Sequence, residues 1–266
     1  MSMKTKLTLS FCCILVVIGS FSLFSCVSKS LIYPGANVKA IPSDKSFNDE
    51  AHYTTFQVSD GTKLRGWFYN RGKKAPLVVM YGGNGMNVGS FINLAKSDVN
   101  RSYLMVNYRG YASSEGSPSE KKIVDDACQI IHSVRKDLDH QSSIVLVGFS
   151  LGSGVASQVS TKVPTDQLVL ICPFDSLKNV AKDFAGSIGS VAAMRDEYDS
   201  AEQAKLMKFP VTIFMGTHDG IVTNKRTNQL IRSFQHVKPI VISYPLGHND
   251  VIGHPQFISD FYKILF

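Results

Sequence analysis

The sequence has little of what a disulfide-stabilised or zinc-binding protein needs. Of its five cysteines, three fall within the first 26 residues, so only Cys128 and Cys172 remain for a folded domain. Two cysteines cannot build a disulfide framework, and no group of Cys and His residues has the spacing of a zinc site. We therefore predict two buried free thiols and no structural zinc.

The sequence also lacks a concentrated patch of basic residues, although its formal net charge is +7. The longest basic runs are pairs such as Lys73-Lys74 and Lys121-Lys122. Proteins that bind nucleic acid usually cluster Lys and Arg on one face or along one helix. We therefore predict no nucleic-acid partner, while weak attraction to an anionic membrane stays open as an alternative.

Repeats and low-complexity tracts are absent, and charged residues make up only 18% of the chain. The 266 residues, 44% of them hydrophobic, can bury one large core. One globular catalytic domain is therefore the simplest organisation.

The longest apolar stretch without charge lies at the N-terminus. Lys4 and Lys6 precede it, and residues 7–24 form it. Its end overlaps the run Leu23-Phe24-Ser25-Cys26. A basic start followed by an apolar run is typical of a secretory signal, and the ending resembles the lipidation site of bacterial lipoproteins. About 18 apolar residues are also just enough to span a bilayer, so a retained membrane anchor is the alternative.

This leader predicts how the chain is organised. We expect residues 1–25 to be a signal peptide or membrane anchor, with Cys26 as the lipidated residue. Residues 26–50 would form a lipid-anchored tether, and residues 51–266 the catalytic domain. The expected location is the bacterial cell envelope, at a membrane.

Apolar patterns predict a hairpin and six further strands. Asp60-Gly61 favours a turn between two antiparallel strands. Beyond it, apolar runs alternate with helical patterns such as Ile123–Leu138, which indicates an α/β fold with a mostly parallel central sheet and helices on both faces. Residues 173–208 are long for one connection and could form a small cap. The predicted strands are His52–Val58, Lys63–Tyr69, Pro76–Tyr81, Tyr103–Tyr108, Ser143–Gly148, Gln167–Cys172, Val211–Met215 and Pro239–Tyr244.

The run Gly148-Phe149-Ser150-Leu151-Gly152 has the G-x-S-x-G pattern of a nucleophile elbow. In such a turn the serine has a strained backbone, and small flanking residues leave its hydroxyl exposed. The bare pattern also occurs in glycine-rich turns. Its position directly after a predicted strand and before a predicted helix is what makes Ser150 a candidate nucleophile.

A serine hydroxyl is a weak nucleophile at neutral pH and needs a histidine base that a carboxylate holds. In this fold the acid and then the histidine follow the serine, each just beyond a strand. Asp219 follows the predicted strand Val211–Met215, and His248 follows Pro239–Tyr244. We predict that Ser150, Asp219 and His248 form a catalytic triad.

Each partner has a rival in the sequence. Asp175 also follows a predicted strand and is an alternative acid. His254 is an alternative base, but it precedes Pro255 at a predicted helix start, which favours a capping role. We interpret His218 as a loop residue beside Asp219.

An acyl-transfer intermediate also needs backbone donors for its oxyanion. The N–H of Leu151, directly after the candidate nucleophile, is the first expected donor. The second comes from the loop after an earlier strand, and within Tyr81–Asn87 we choose the N–H of Asn84. A phosphate-binding loop is the alternative, but the segment lacks the Lys-Ser/Thr ending and the G-x-G-x-x-G spacing.

Several segments together resemble one branch of the α/β-hydrolases, which includes membrane-associated protein depalmitoylases and lysophosphatidylserine lipases. The resemblance covers roughly residues 50–262, and its segments are Tyr81–Asn87, Asn107–Glu120, the elbow, Cys172–Leu177 and Gly247–Asp250. It implies an α/β-hydrolase fold, a serine hydrolase for acyl esters or thioesters, often at membranes, and no cofactor. It also assigns the triad to Ser150, Asp219 and His248.

The chain departs from this branch at Gly82-Gly83, where the family usually has His-Gly. That histidine commonly organises the oxyanion loop through hydrogen bonds, so the change concerns the loop's rigidity and not the reaction class. We interpret Arg109, Ser114 and Glu115 as residues that brace the loop near the site.

The sequence therefore predicts a serine hydrolase whose substrate is a small acyl ester, thioester or lipid. The N-terminal anchor is expected to attach the protein to a membrane. One alternative is a membrane-tethered, non-catalytic binding domain with the same fold. Another is a serine peptidase that acts on short peptides, because peptide hydrolysis shares this acyl-transfer chemistry.

Overall fold

A computed structural model describes residues 29–37, 49, 51–139, 141–185 and 194–265. The predicted signal peptide and Cys26 lie outside these ranges. Within them, no helix is both long enough and apolar enough to cross a membrane.

One mixed sheet of eight strands organises the domain, in the order β1-β2-β4-β3-β5-β6-β7-β8. The first two pairings, β1 with β2 and β2 with β4, are antiparallel, and all others are parallel. The strands are β1 Tyr53–Gln57, β2 Lys63–Tyr69, β3 Leu77–Tyr81, β4 Ser102–Val106, β5 Ile144–Phe149, β6 Gln167–Ile171, β7 Val211–Gly216 and β8 Ile240–Tyr244. All eight predicted strands are present, with ends that shift by a few residues at most.

The α-helices are α1 Ile92–Ser97, α2 Glu120–Arg135, α3 Leu151–Ser160, α4 Leu177–Ala185, α5 Ser200–Ala204, α6 Asn224–Ser233 and α7 Pro255–Ile264. Short 3₁₀ helices cover Pro34–Asn37 and Val88–Phe91. The sequence did not predict α1, because six residues are too few to display a helical period. Helices α4 and α5 lie within the predicted cap-like segment.

Two apolar clusters cover the two faces of the sheet. Along β3, Leu77 and Val79 belong to one cluster, whereas Val78 and Met80 belong to the other, because successive side chains of a strand point to opposite faces. Helices α2 to α6 contribute to the first cluster, and α1 and α7 to the second. Helices therefore lie on both faces, and the central strands are buried along their whole length.

The segment that precedes the sheet packs against the domain. Residues 29–32 form a helical turn, and Tyr33 is buried with its hydroxyl 3.0 Å from both the carboxylate of Asp196 and the hydroxyl of Tyr198. Gly35 donates its N–H to the carbonyl of Asn84 over 3.2 Å. The first part of the predicted tether thus contributes to the domain.

Candidate active site

Ser150 occupies a sharp turn between β5 and α3. Its φ is 53° and its ψ is −118°, a strained conformation for a residue with a side chain. The flanking glycines are required by close approach of the backbone. A Cβ on Gly148 would lie 2.1 Å from the carbonyl oxygen of Gly152, and one on Gly152 would lie 2.2 Å from that of Tyr81. The G-x-S-x-G pattern therefore reflects how tightly α3 crosses the ends of β3 and β5.

The structure brings Ser150, Asp219 and His248 together. Nε2 of His248 lies 2.9 Å from Oγ of Ser150, and its Nδ1 lies 2.7 Å from Oδ2 of Asp219. The three residues follow β5, β7 and β8, whose carboxyl ends meet at one edge of the sheet. His248 and Asp219 are buried, and Ser150 is half-buried. This geometry suits proton transfer between the serine and the imidazole.

Both oxygens of Asp219 are engaged. While Oδ2 faces the imidazole, Oδ1 accepts hydrogen bonds from the backbone N–H groups of Ile221 at 2.9 Å and Val222 at 2.8 Å. The carboxylate is consequently fixed in the orientation that holds His248. Such a carboxylate sets the tautomer of the imidazole and stabilises its protonated form.

Cys172 lies beneath this group. Its thiol donates to the carbonyl of His248 over 3.7 Å, and burial, followed by the charge of Asp219, raises its pKa well above the usual value. The side-chain atoms of Cys172, Asp219 and His248 that could ligate a metal lie within 4.8 Å of one another. However, the ring nitrogens of His248 already face Asp219 and Ser150, and the thiol is held neutral, so these donors suit an acid-base site better than a metal centre.

The two cysteines of the domain are free, as predicted. Cys172 is buried, whereas Cys128 is only half-buried, which corrects the expectation that both are buried. Burial still raises the pKa of Cys128 to about 11.

The rival residues have other partners. Asp175 accepts from Nη1 of Arg226 at 3.1 Å and from the amide of Asn179 at 2.7 Å. His254 accepts a hydrogen bond from Gln256 N at the start of α7, which confirms the predicted cap. His218 is exposed in the loop before Asp219.

The loop after β3 passes directly over Ser150. A Cβ on Gly83 would lie 3.6 Å from Cβ of Ser150 and 3.3 Å from the ring of Phe149. Asn84 and Leu151, the predicted oxyanion donors, both line the cavity that opens above the serine. Leu151 is also the first residue of α3, where backbone N–H groups have no partner within the helix.

Two tyrosines that sequence analysis did not single out hold this loop. Tyr108 donates its hydroxyl to the carbonyl of Gly82 over 2.8 Å, and Tyr111 donates to the carbonyl of Asn84 over 2.6 Å. The carbonyl between them, that of Gly83, accepts from the N–H of Met86. Three successive peptide planes of this loop are thus oriented by hydrogen bonds.

The bracing role expected for Arg109, Ser114 and Glu115 is confirmed by their contacts. Arg109 pairs with Asp126 through Nη2 at 2.6 Å and with Asp60 through Nη1 at 2.8 Å. Ser114 accepts from the N–H of Arg65, and Glu115 accepts from that of Lys63. None of these distances involves the candidate catalytic residues.

A large apolar cavity of about 790 Å³ opens at Ser150 and His248. Apolar side chains from the N-terminal turn, the loop after β3, the end of β5, α4 and the loops that hold Asp219 and His248 form most of its wall. They include Ile32, Met86, Phe149, Val180, Phe184 and Ile252. A cavity of this size and polarity can hold an extended hydrocarbon group.

Known proteins resemble this chain in sequence and fold. A sequence model of the family described as Serine hydrolase (FSH1) matches residues 25–249. Protein bem46 of Schizosaccharomyces pombe is 27% identical over 253 residues, covering 88% of this chain and 85% of bem46. YfhR of Salmonella typhimurium is 30% identical over 233 residues, covering 78% of this chain and 79% of YfhR.

Among solved structures, the esterase PF2001 of Pyrococcus furiosus matches with a TM-score of 0.66 at 16% identity. The match covers 85% of this chain and 94% of that chain. The predicted α/β-hydrolase fold is therefore confirmed.

Proposed function

We propose that this chain, which belongs to the serine hydrolase (FSH1) family, hydrolyses acyl esters or thioesters with Ser150 as the nucleophile. The observation that carries the proposal is the continuous series of contacts from Asp219 through His248 to Ser150, with distances of 2.7 and 2.9 Å. The strained backbone of Ser150 supports it further, because strain of this kind is concentrated at functional sites.

In the proposed reaction, Nε2 of His248 takes the proton of the Ser150 hydroxyl as its oxygen attacks the acyl carbonyl. Asp219 stabilises the imidazolium that forms. The carbonyl π electrons move to oxygen, and the N–H groups of Leu151 and Asn84 bind this oxyanion. When the tetrahedral intermediate collapses, the bond to the alcohol or thiol breaks, and His248 protonates the leaving group.

The acyl group is then bound to Ser150 as an ester. His248 removes a proton from water, and the resulting hydroxide equivalent attacks the same carbonyl. A second tetrahedral intermediate breaks its bond to Oγ, which regains the proton from His248. The products are a carboxylic acid and the free enzyme.

The cavity supports an acyl group with a substantial hydrocarbon chain. It opens at Ser150, and its wall is mainly apolar, so burying each methylene of a chain would add about 0.8 kcal/mol of transfer free energy. We expect ester turnover to improve as the acyl chain lengthens from acetate towards medium and long chains.

Substitution of the nucleophile tests the proposal. The full chain in detergent should hydrolyse p-nitrophenyl esters and accept a fluorophosphonate label, and Ser150→Ala should abolish the label and lower turnover by about 10⁴-fold or more. Ser157→Ala is a matched control, because Ser157 lies on α3, the helix that directly follows Ser150, and its buried hydroxyl has no hydrogen-bond partner in the described structure. An active Ser150→Ala variant would refute the mechanism.

The two alternative functions predict different results in the same assay. A non-catalytic binding domain would show neither turnover nor labelling in the parent protein. A peptidase would label at Ser150 but favour short peptide amides over esters.

We also propose that Cys26 carries a lipid that anchors the protein in the bacterial cell envelope. The proposal rests on the sequence, because Cys26 lies outside the described residues. Cells grown with an alkyne-tagged fatty acid should label the parent and not Cys26→Ser. If both remain unlabelled and the mature chain retains residues 1–25, the retained membrane anchor is the correct alternative.

A further inference from the structure

Three large apolar side chains stand exposed around the mouth of the cavity. Leu31, Phe184 and Ile221 are 73%, 66% and 45% exposed, and all three line it. They come from the N-terminal turn, the end of α4 and the loop after Asp219, so only the folded chain assembles them. We call this set the rim. The other large apolar side chains that are exposed in the described ranges lie away from the cavity, at Val99, Leu206, Ile240 and Val241.

We propose that the rim is a lipid-docking surface, which seats the domain on an anionic phospholipid bilayer with the cavity open towards the lipid. Single exposed apolar residues are common on protein surfaces, but a group that continues into an apolar cavity marks an interaction site. For the substrate, the inference rests on the proposed function, since docking would let an acyl chain pass from the bilayer into the cavity without crossing water.

Basic residues on the elements that carry the rim favour anionic lipid. Lys29 and Lys182 are exposed on the same helical segments as Leu31 and Phe184, although residues two positions apart in a helix point to different sides. The nearby carboxylate of Asp183 is paired with Arg226, whose Nε lies 2.7 Å from Oδ2. Exposed lysines next to apolar side chains are the pattern by which interfacial segments bind anionic membranes, with lysine at the headgroups and the apolar side chain below.

The covalent chain places the predicted anchor beside the same surface. Lys29 follows Cys26 by three residues, and three residues can span at most about 11 Å. The helical turn over residues 29–32 supplies Leu31 and Ile32 to the cavity. A lipid on Cys26 would therefore hold the mouth of the cavity close to the membrane surface.

Fluorescence quenching tests the docking without reference to activity. The full-length Phe184→Trp variant is incorporated into vesicles of phosphatidylcholine and phosphatidylglycerol whose acyl chains are brominated. Leu206→Trp and Val99→Trp, at exposed apolar positions away from the rim, are the controls. The native Trp67 is buried and gives the same background in all variants. We expect about twofold quenching of the tryptophan at 184 and little at the control positions. Equal quenching at all three positions would overturn the proposal.

Activity tests the consequence for substrate. We expect Leu31→Glu/Phe184→Glu to lower the ratio of turnover of a long-chain ester in vesicles to turnover of soluble p-nitrophenyl butyrate by about tenfold. Leu206→Glu should leave the ratio unchanged, and an unchanged ratio in the rim variant would contradict the docking.

The two proposals fail in different ways. If the parent shows no Ser150-dependent ester turnover, the proposed function fails, while the quenching still decides the docking. If the protein dimerises through the rim in detergent and the tryptophan at 184 is not quenched in vesicles, a second copy of the chain covers the rim. The lipid proposal is then wrong.

Discussion

At the scale of single residues, Tyr108 and Tyr111 hold the loop that carries Asn84. Their hydroxyls fix the carbonyls of Gly82 and Asn84, which lie on either side of the peptide that carries the Asn84 N–H. Under the proposed mechanism this N–H binds an oxyanion that exists only after attack has begun. The tyrosines are therefore positioning residues for the transition state.

We expect Tyr108→Phe and Tyr111→Phe each to lower kcat for p-nitrophenyl esters by about tenfold with little change in KM, since a misplaced oxyanion donor costs transition-state binding alone. Tyr262→Phe is the matched control, because Tyr262 also donates to a backbone carbonyl, that of Leu94, but away from the site. A rise in KM at constant kcat would assign the tyrosines to substrate binding instead.

Local patterns explain why some residues could be predicted and others could not. Ser150, Asp219 and His248 each follow an apolar strand, and the strand ends converge in this fold, so their proximity follows from the sequence order. The roles of Tyr108 and Tyr111 depend on carbonyls 26 and 27 residues earlier in the chain. Only their place in the segment that resembles known hydrolases pointed towards them.

At the scale of elements, the start of β4 is tied to the end of α7 through Asp98. Its carboxylate accepts from Arg101 Nη1 at 2.9 Å and from Tyr103 at 2.7 Å, while Arg101 Nη2 reaches the carbonyl of Leu265. Burial alone would raise the pKa of Asp98, but these hydrogen bonds outweigh it and lower the pKa below its usual value. The ionised form is thus bound more strongly in the folded state.

This shift predicts the sign of a pH effect. A carboxyl whose folded pKa is depressed stabilises the protein above its unfolded pKa of about 3.9, and the stabilisation is lost as the pH falls through the folded pKa. We expect Asp98→Asn to lower the Tm at pH 7, and the difference from the parent to shrink towards pH 3. Asp125→Asn, which removes an exposed ion pair with Lys121, should change the Tm little at either pH. A difference independent of pH would mean that charge is not the cause.

At the scale of the whole molecule, residues 29–37 join the predicted anchor to the site. The prolines of residues 27–50, Pro34 and Pro42, and their several Ser and Asn residues favour a loop, so the sequence predicted a tether. The burial of Tyr33 depends instead on Asp196 and Tyr198, more than 160 positions away. A contact between residues so far apart in the chain leaves no local pattern in the sequence, whereas the core strands are visible as apolar runs.

Because this segment packs against the domain, substitutions at Tyr33 should affect both stability and turnover. Tyr33→Phe keeps the ring but leaves Asp196 and Tyr198 without a partner hydroxyl, so we expect a loss of about 1–3 kcal/mol in the free energy of unfolding. Tyr33→Ala also leaves a void in the packing and should cost about 3–5 kcal/mol of the free energy of unfolding.

Ester turnover by Tyr33→Ala should fall as well, because Ile32 lines the cavity at Ser150 and Gly35 donates a hydrogen bond to the carbonyl of Asn84. Urea unfolding and p-nitrophenyl ester assays of the full chain measure both effects. Parent-like unfolding of Tyr33→Ala would show that the segment is not docked in solution, and the cavity would then lose one wall.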